Sequence, residues 1–141
     1  MAPTPINGID HIGLLVRDID SSLRYFTEHL GFKLISDERT AASGGARLAY
    51  LDAGNVILQL LSPTGASGPI AEHLAEHGEG LHHICLTVDD IDRTIADLAP
   101  DAEVDVTLGG RGRRVAFLPE RPNGLVMELT ESAVYAPNGS S

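Results

Sequence analysis

His11-Ile12-Gly13-Leu14-Leu15-Val16-Arg17-Asp18-Ile19-Asp20-Ser21-Ser22-Leu23 returns 72 residues later as His83-Ile84-Cys85-Leu86-Thr87-Val88-Asp89-Asp90-Ile91-Asp92-Arg93-Thr94-Ile95. Seven of the thirteen positions are identical. Each copy opens as a strand. Ile12, Leu14 and Val16 alternate with His11, Gly13 and Leu15, and Ile84, Leu86 and Val88 with His83, Cys85 and Thr87. The aliphatic face suits a cover of helices, and the smaller, more polar face suits a cavity wall. A helix follows each strand, capped by Asp18 or Asp20 in the first copy and by Asp90 or Asp92 in the second. Leu23, Phe26 and Leu30 carry the first helix to Gly31. Ile91, Ile95 and Leu98 carry the second to Pro100.

The likeness runs on beyond the phrase. Arg47-Leu48-Ala49-Tyr50-Leu51 matches Arg114-Val115-Ala116-Phe117-Leu118, and Val56-Ile57-Leu58-Gln59-Leu60 matches Leu125-Val126-Met127-Glu128-Leu129. Ala53-Gly54-Asn55 and Pro122-Asn123-Gly124 supply the turns between the paired strands. A further strand is expected in each half, near Phe32 to Ser36 and near Glu103 to Thr107. Each half therefore reads βαβββ. The fold class is α+β, with two pseudo-symmetric βαβββ modules in a cupped mixed sheet and helices outside. The expected organisation is one domain: module one about 8–62, a linker about 63–80 with a short helix at Pro69 to His77, and module two about 81–131. The tail at 136–141 reads as disordered.

The bulk properties exclude several classes. A formal charge of −10 argues against sequence-independent binding of nucleic acid or an anionic membrane. No apolar run is long enough for a membrane span, and the N-terminus lacks a signal-peptide pattern. The single cysteine cannot form an internal disulfide and fits a cytoplasmic setting.

Polar residues recur at equivalent places on otherwise apolar strands. His11 and His83 head the first strands of the two halves, and Gln59 and Glu128 occupy equivalent places in the last. If the modules pack as a pseudo-symmetric pair, these side chains converge. Two imidazoles, a carboxylate and an amide oxygen form a mixed nitrogen and oxygen set suited to Mn, Co, Ni, Fe or Zn. The absence of a thiolate pair argues against structural zinc. His82 should point away from the face of His83. His29, His73 and His77 are expected to be solvated, and Cys85 to be a small wall residue. Arg111, Arg113 and Arg114 hold three of the ten basic residues within four positions. They are candidates to bind a carboxylate or a CoA phosphate, the competing reading being an exposed hairpin end.

Several stretches resemble the vicinal oxygen chelate superfamily, and within it methylmalonyl-CoA epimerase. They are Ile9-Asp10-His11-Ile12-Gly13, Leu58-Gln59-Leu60-Leu61-Ser62-Pro63, Pro69-Ile70-Ala71 through His77-Gly78-Glu79-Gly80-Leu81-His82-His83-Ile84-Cys85, Arg114-Val115-Ala116-Phe117-Leu118 and Met127-Glu128-Leu129. The resemblance covers roughly residues 8 to 131. It implies His11, Gln59, His83 and Glu128 as ligands of a cobalt- or manganese-type ion, an acyl-CoA substrate and a homodimer. It also implies catalysis by one carboxylate that removes an α-proton and another that returns it from the opposite face. Glu128 fits one of these roles. The family's other glutamate sits in a Pro-Glu-Gln-Gly or Pro-Glu-His-Gly motif, and here the stretch is Ala42-Ser43-Gly44-Gly45-Ala46, with Ser43 at the glutamate's place. A serine hydroxyl cannot hold a proton reversibly near pH 7. Asp37 or Glu38 could serve instead, or a water could replace the base, or the substrate could differ. The family's His-Pro-Lys is also replaced, by Pro119-Glu120-Arg121. The leading expectation is an isomerase of the epimerase type. The alternatives are an isomerase of a sugar-like ketone, or a small-molecule binding protein of the bleomycin-resistance kind.

Overall fold

The computed structural model describes residues 6–132, so the tail expected to be disordered lies outside the described residues. The chain divides into two compact units. Within the described residues these are His11–His82 on the one hand, and 6–10 with 83–132 on the other.

In the first unit β1 (Gly8–Leu15, whose part from His11 lies here) leads into α1 (Ile19–Arg24). The Asp18 carboxylate caps α1 by accepting from the Ser21 amide at 3.1 Å, satisfying a donor that the first helical turn leaves unpaired. The helix then widens into a single π turn, Tyr25–His29, with Leu30 N–H donating to Tyr25 C=O. The expected helix up to Gly31 is thus a short α-helix plus a π turn. Thr27 accounts for part of this, because its hydroxyl donates to the Leu23 carbonyl at 2.7 Å and competes for the backbone acceptor. Gly31 adopts φ 77 and ends the helix, as expected of a glycine there.

β2 (Lys33–Thr40), β3 (Ala46–Asp52) and β4 (Ile57–Pro63) follow, then α2 (Pro69–His77), the linker helix, at the residues expected for it. The strand order is β2-β3-β4-β1, with β2, β3 and β4 antiparallel and β4 parallel to β1. The sheet buries both faces. Val16, Ile19, Ala49, Leu51 and Leu60 pack with Leu23 and Phe26 on the side of α1. Leu15, Ala46, Leu48, Tyr50 and Leu61 pack with Ile70 and Leu74 of α2 on the other. α2 therefore closes one end of the face that the sequence reads as a cavity wall. The hairpin turn before β3 lies backbone to backbone on the segment preceding α2. A Cβ at Gly44 would come within 2.6 Å of the Ser67 carbonyl oxygen, so only glycine fits there.

The second unit repeats this plan. β5 (Gly80–Val88) lies here from His83 and leads into α3 (Ile91–Leu98), capped by Asp90, which accepts from the Arg93 amide at 3.1 Å. β6 (Thr107–Leu108), β7 (Arg114–Phe117) and β8 (Val126–Glu131) complete the sheet, in the order β5-β8-β7-β6. The strand expected from Glu103 to Thr107 is only two residues long. Val104 and Val106 still pack on the cluster of Val88, Ile91, Ala116 and Leu129, so the segment serves the core mainly through apolar contacts, with only Thr107 and Leu108 in the ladder. The α+β class and the two βαβββ modules are as the sequence implies.

An ion-pair group on the α1 side of the first sheet makes the stability pH-dependent. Arg47 donates to both oxygens of Asp37, at 3.0 and 2.7 Å, and pairs with Asp20 at 3.0 Å. These hydrogen bonds hold the Asp37 carboxyl below its ordinary value. The resulting stabilisation is present above the unfolded pKa of about 3.9 and is lost as pH falls through the lower folded value. Asp37→Asn should therefore lower the melting temperature at neutral pH, and the gap from wild type should close below about pH 4. A gap that stays constant across a circular-dichroism pH series contradicts this account.

Candidate metal and proton-transfer residues

Each unit builds the same pair of candidate ligands in the same register. In the first, His11 is opposite Ile57 and Gly13 opposite Gln59 on the parallel β1–β4 pair. In the second, His83 is opposite Val126 and Cys85 opposite Glu128 on β5–β8. The histidine and its oxygen-bearing partner therefore lie two residues apart on neighbouring strands, facing the same way. The third strand matches too: Tyr50 is opposite Gln59, and Phe117 is opposite Glu128. The ring edge of each aromatic meets its own histidine, with centroids 5.7 Å apart for His11 and Tyr50 and 6.4 Å for His83 and Phe117. The repeat in sequence is thus a repeat in geometry.

All four donors are out of solvent. His11 is 2% exposed, Gln59 4%, His83 3% and Glu128 7%. Buried polar groups are normally satisfied, which makes their partners informative. Gln59 Nε2 donates to the Tyr50 hydroxyl at 2.9 Å, fixing the amide, while its Oε1 is buried with no hydrogen-bond partner. A buried carbonyl oxygen without a donor costs about 1–3 kcal/mol unless something else meets it. A hard or borderline cation is such a partner, and the amide oxygen beside an imidazole fits one. In the second unit His83 Nε2 lies 3.3 Å from Glu128 Oε1. Burial, with the Glu128 carboxylate beside it, pushes the Cys85 thiol up, so the sulfur stays protonated. Cys85 is fully buried on the face of His83 and hydrogen-bonds Glu128, surroundings that disfavour the nucleophilic thiolate.

Ser43 occupies the 3₁₀ turn Ala42–Gly44 at the tip of the β2–β3 hairpin, half-buried, with φ 57 and ψ 31. Left-handed backbone is uncommon for a residue other than glycine and concentrates at functional positions. The two carboxylates weighed as replacements separate cleanly. Asp37 is opposite Ala49, on the α1 side of the sheet, and is held by Arg47. Glu38 is opposite Leu48, so it shares the face of Tyr50 and Gln59. It is half-buried and accepts from the Ser36 hydroxyl at 2.8 Å.

The three arginines are engaged in ion pairs within the second unit. Arg111 and Arg113 both turn to Asp10, Arg113 at 3.2 Å. Arg114 pairs with Asp92 at 2.6 Å and with Glu131 at 3.3 Å. Arg111 sits at φ 60 in the turn between β6 and β7, so the segment is folded around Asp10 and is not an open hairpin end. The sequence reading named these arginines without their partners, because Asp10 and Arg111 lie 101 positions apart. His29 and His77 are exposed as expected. His73 is half-buried and His82 is 8% exposed, and their rings lie 4.6 Å apart, so neither is simply solvated.

Among the described residues no helix is long and apolar enough to cross a membrane. The sequence model of the Glyoxalase/Bleomycin resistance protein/Dioxygenase superfamily matches residues 8–129. The uncharacterized protein YqjC of Bacillus subtilis (strain 168) is 30% identical over 89% of this chain and 93% of its own. The mitochondrial methylmalonyl-CoA epimerase of Homo sapiens is 28% identical over 88% of this chain and 73% of its own. Among solved structures, the methylmalonyl-CoA epimerase of Mycobacterium tuberculosis superposes with a TM-score of 0.83 at 28% identity, covering 94% of this chain and 93% of that one. A variant of the Streptomyces coelicolor methylmalonyl-CoA epimerase, in complex with 2-nitronate-propionyl-CoA, superposes at 0.81 with 32% identity, covering 94% and 100%. With the repeated modules, the matched register and these similarities together, the chain belongs to the Glyoxalase/Bleomycin resistance protein/Dioxygenase superfamily.

Proposed function

We propose that the chain is a divalent-metal-dependent epimerase that inverts the carbon between the thioester and carboxylate of an acyl-CoA such as methylmalonyl-CoA. The observation that carries this reading is the doubled donor pair, His11 with Gln59 and His83 with Glu128, at equivalent registers and buried in both units. The similarity to methylmalonyl-CoA epimerases supports the reaction class. A solved relative that holds 2-nitronate-propionyl-CoA supports an acyl-CoA. Both units are taken to act as one domain, the four residues as the ligands of one ion, and the working state as a homodimer. Cobalt or manganese suits this imidazole and oxygen set.

When bound, the ion supplies Lewis-acid charge at the substrate's carbonyl oxygen and so makes the α-proton removable. The side chains do the rest. Glu128 holds or returns the proton on one face of the planar intermediate, and the Cys85 thiol and His83 ring fix its carboxylate. Glu38 is the proposed second acid/base, since it is the carboxylate of β2 that shares the face of Tyr50 and Gln59. Ser43, at the family glutamate's place, then lines the site without moving a proton. Arg111 and Arg113, oriented by Asp10, are proposed to meet the anionic end of the substrate.

The test is methylmalonyl-CoA in deuterated water with cobalt-loaded protein. Deuterium at the α-carbon together with interconversion of the epimers supports the reading, and a chelator should abolish both. Metal-loaded, folded protein that produces neither rules this substrate out.

A further inference from the structure

Three imidazoles outside the donor pairs gather at the junction of α2 and β5. His73 and His77 stand four residues apart on α2, on one face of the helix, with ring centroids 4.6 Å apart. The His82 ring meets the His73 ring edge-on, again at 4.6 Å. His73 is thus common to both contacts. All three residues belong to the first unit. Such clustering brings several imidazole nitrogens to one place. It is favourable for a cation that takes neutral imidazole nitrogens.

We propose that His73, His77 and His82 form a second metal site, for a borderline divalent ion such as zinc, nickel or copper. Two histidines at i and i+4 on one helix are a recurrent zinc-binding pair. Imidazole is the ligand common to zinc, copper and nickel sites, whereas manganese favours oxygen. The ligands differ in how firmly they are held. His82 is only 8% exposed and half-buried His73 packs on it, so these two are pre-positioned. His77 is 61% exposed at the end of α2; its nitrogen does not yet lie with the other two within reach of one ion, so binding requires this exposed side chain to turn toward them. The Glu76 carboxylate, 3.7 Å from His77 Nε2, offsets the charge of the ion. Water completes a tetrahedral set at nitrogen distances of about 2.0–2.1 Å.

The site would act as a clamp. α2 is joined to β5 by Gly78 and Glu79 alone, and Gly78 and Gly80 adopt φ 76 and 139. The link is held by the Glu79 carboxylate, which accepts from the Arg17 amide at 2.9 Å, and by the Gly78 amide, which donates to the Leu74 carbonyl. An ion held by both α2 and the first part of β5 would fix the helix against the strand.

Zinc titrated into metal-free full-length protein tests this. His77→Ala and His73→Ala should each bind one zinc equivalent fewer than wild type by calorimetry. The rise in melting temperature that zinc gives wild type should shrink by the same step. An unchanged stoichiometry in His77→Ala, whose exposed side chain supports no packing, overturns the proposal. Should His73→Ala fail to fold, imidazole nitrogen–proton spectra of wild type decide. Zinc should shift the resonances of His73, His77 and His82 together, and resonances unmoved at saturating zinc overturn the site.

Discussion

Glu128→Gln should reduce α-proton exchange by about 10²–10⁴-fold at saturating metal, the usual cost of losing a positioned acid/base. The carboxamide has nearly the same shape and fills the same space between His83 and Cys85. It cannot accept and return a proton near neutral pH. It also removes a negative charge from the proposed donor set, so metal affinity should fall with the rate. Working at saturating metal separates the two losses. A glutamine variant that loads metal and exchanges within about threefold of wild type removes Glu128 from the chemistry, because a positioned base contributes at least about a hundredfold. Stability should change little by comparison. The residue is only 7% exposed, and the amide retains hydrogen-bonding groups for its neighbours.

Glu38→Gln should break inversion while leaving exchange at one epimer. Inversion needs proton donors on opposite faces of a planar intermediate, and Glu128 alone serves one face. The epimer whose α-proton faces Glu128 should still take up deuterium, and interconversion should fall by about 10²–10⁴-fold. Ser43→Glu, introduced into the Glu38→Gln protein, should restore part of the interconversion by returning a carboxylate to the place the family uses. The backbone there already bears the left-handed conformation, so the larger side chain adds little new strain. If Glu38→Gln interconverts the epimers at the wild-type rate, the second base is not Glu38. A gain from Ser43→Glu in the otherwise unchanged chain would then mark the hairpin tip as the site that lost its carboxylate.

Both predictions turn on which face of a strand a residue occupies, and the sequence was uneven on that point. Alternation on β1 and β5 assigned His11 and His83 to the polar face from composition alone, since the opposite face is aliphatic without exception. β2 offers no such contrast. Leu34 and Ile35 are both exposed, and the β2–β3 register shifts between Leu34 and Ser36. Parity counted from the start of that strand is therefore unreliable, and Asp37 and Glu38 could not be told apart. The pairing of Asp37 with Ala49 and of Glu38 with Leu48 separates them.

The internal repeat by itself implied the two modules, narrowed each helix cap to two aspartates, and singled out His11, Gln59, His83 and Glu128 as candidate ligands. Those features rest on local periodicity and on repetition, and both can be read along the chain. The partners of the arginines, the company of His73 and His82, and the facing of Glu38 were decided only by tertiary structure. Each depends on segments brought together by strand register or by packing of a linker helix. Asp10 meets Arg111 across 101 positions, and His82 meets His73 because α2 folds back on the strand that follows it. No local pattern carries those distances, because they are set by how apolar faces close over one another and not by the residues that happen to meet there.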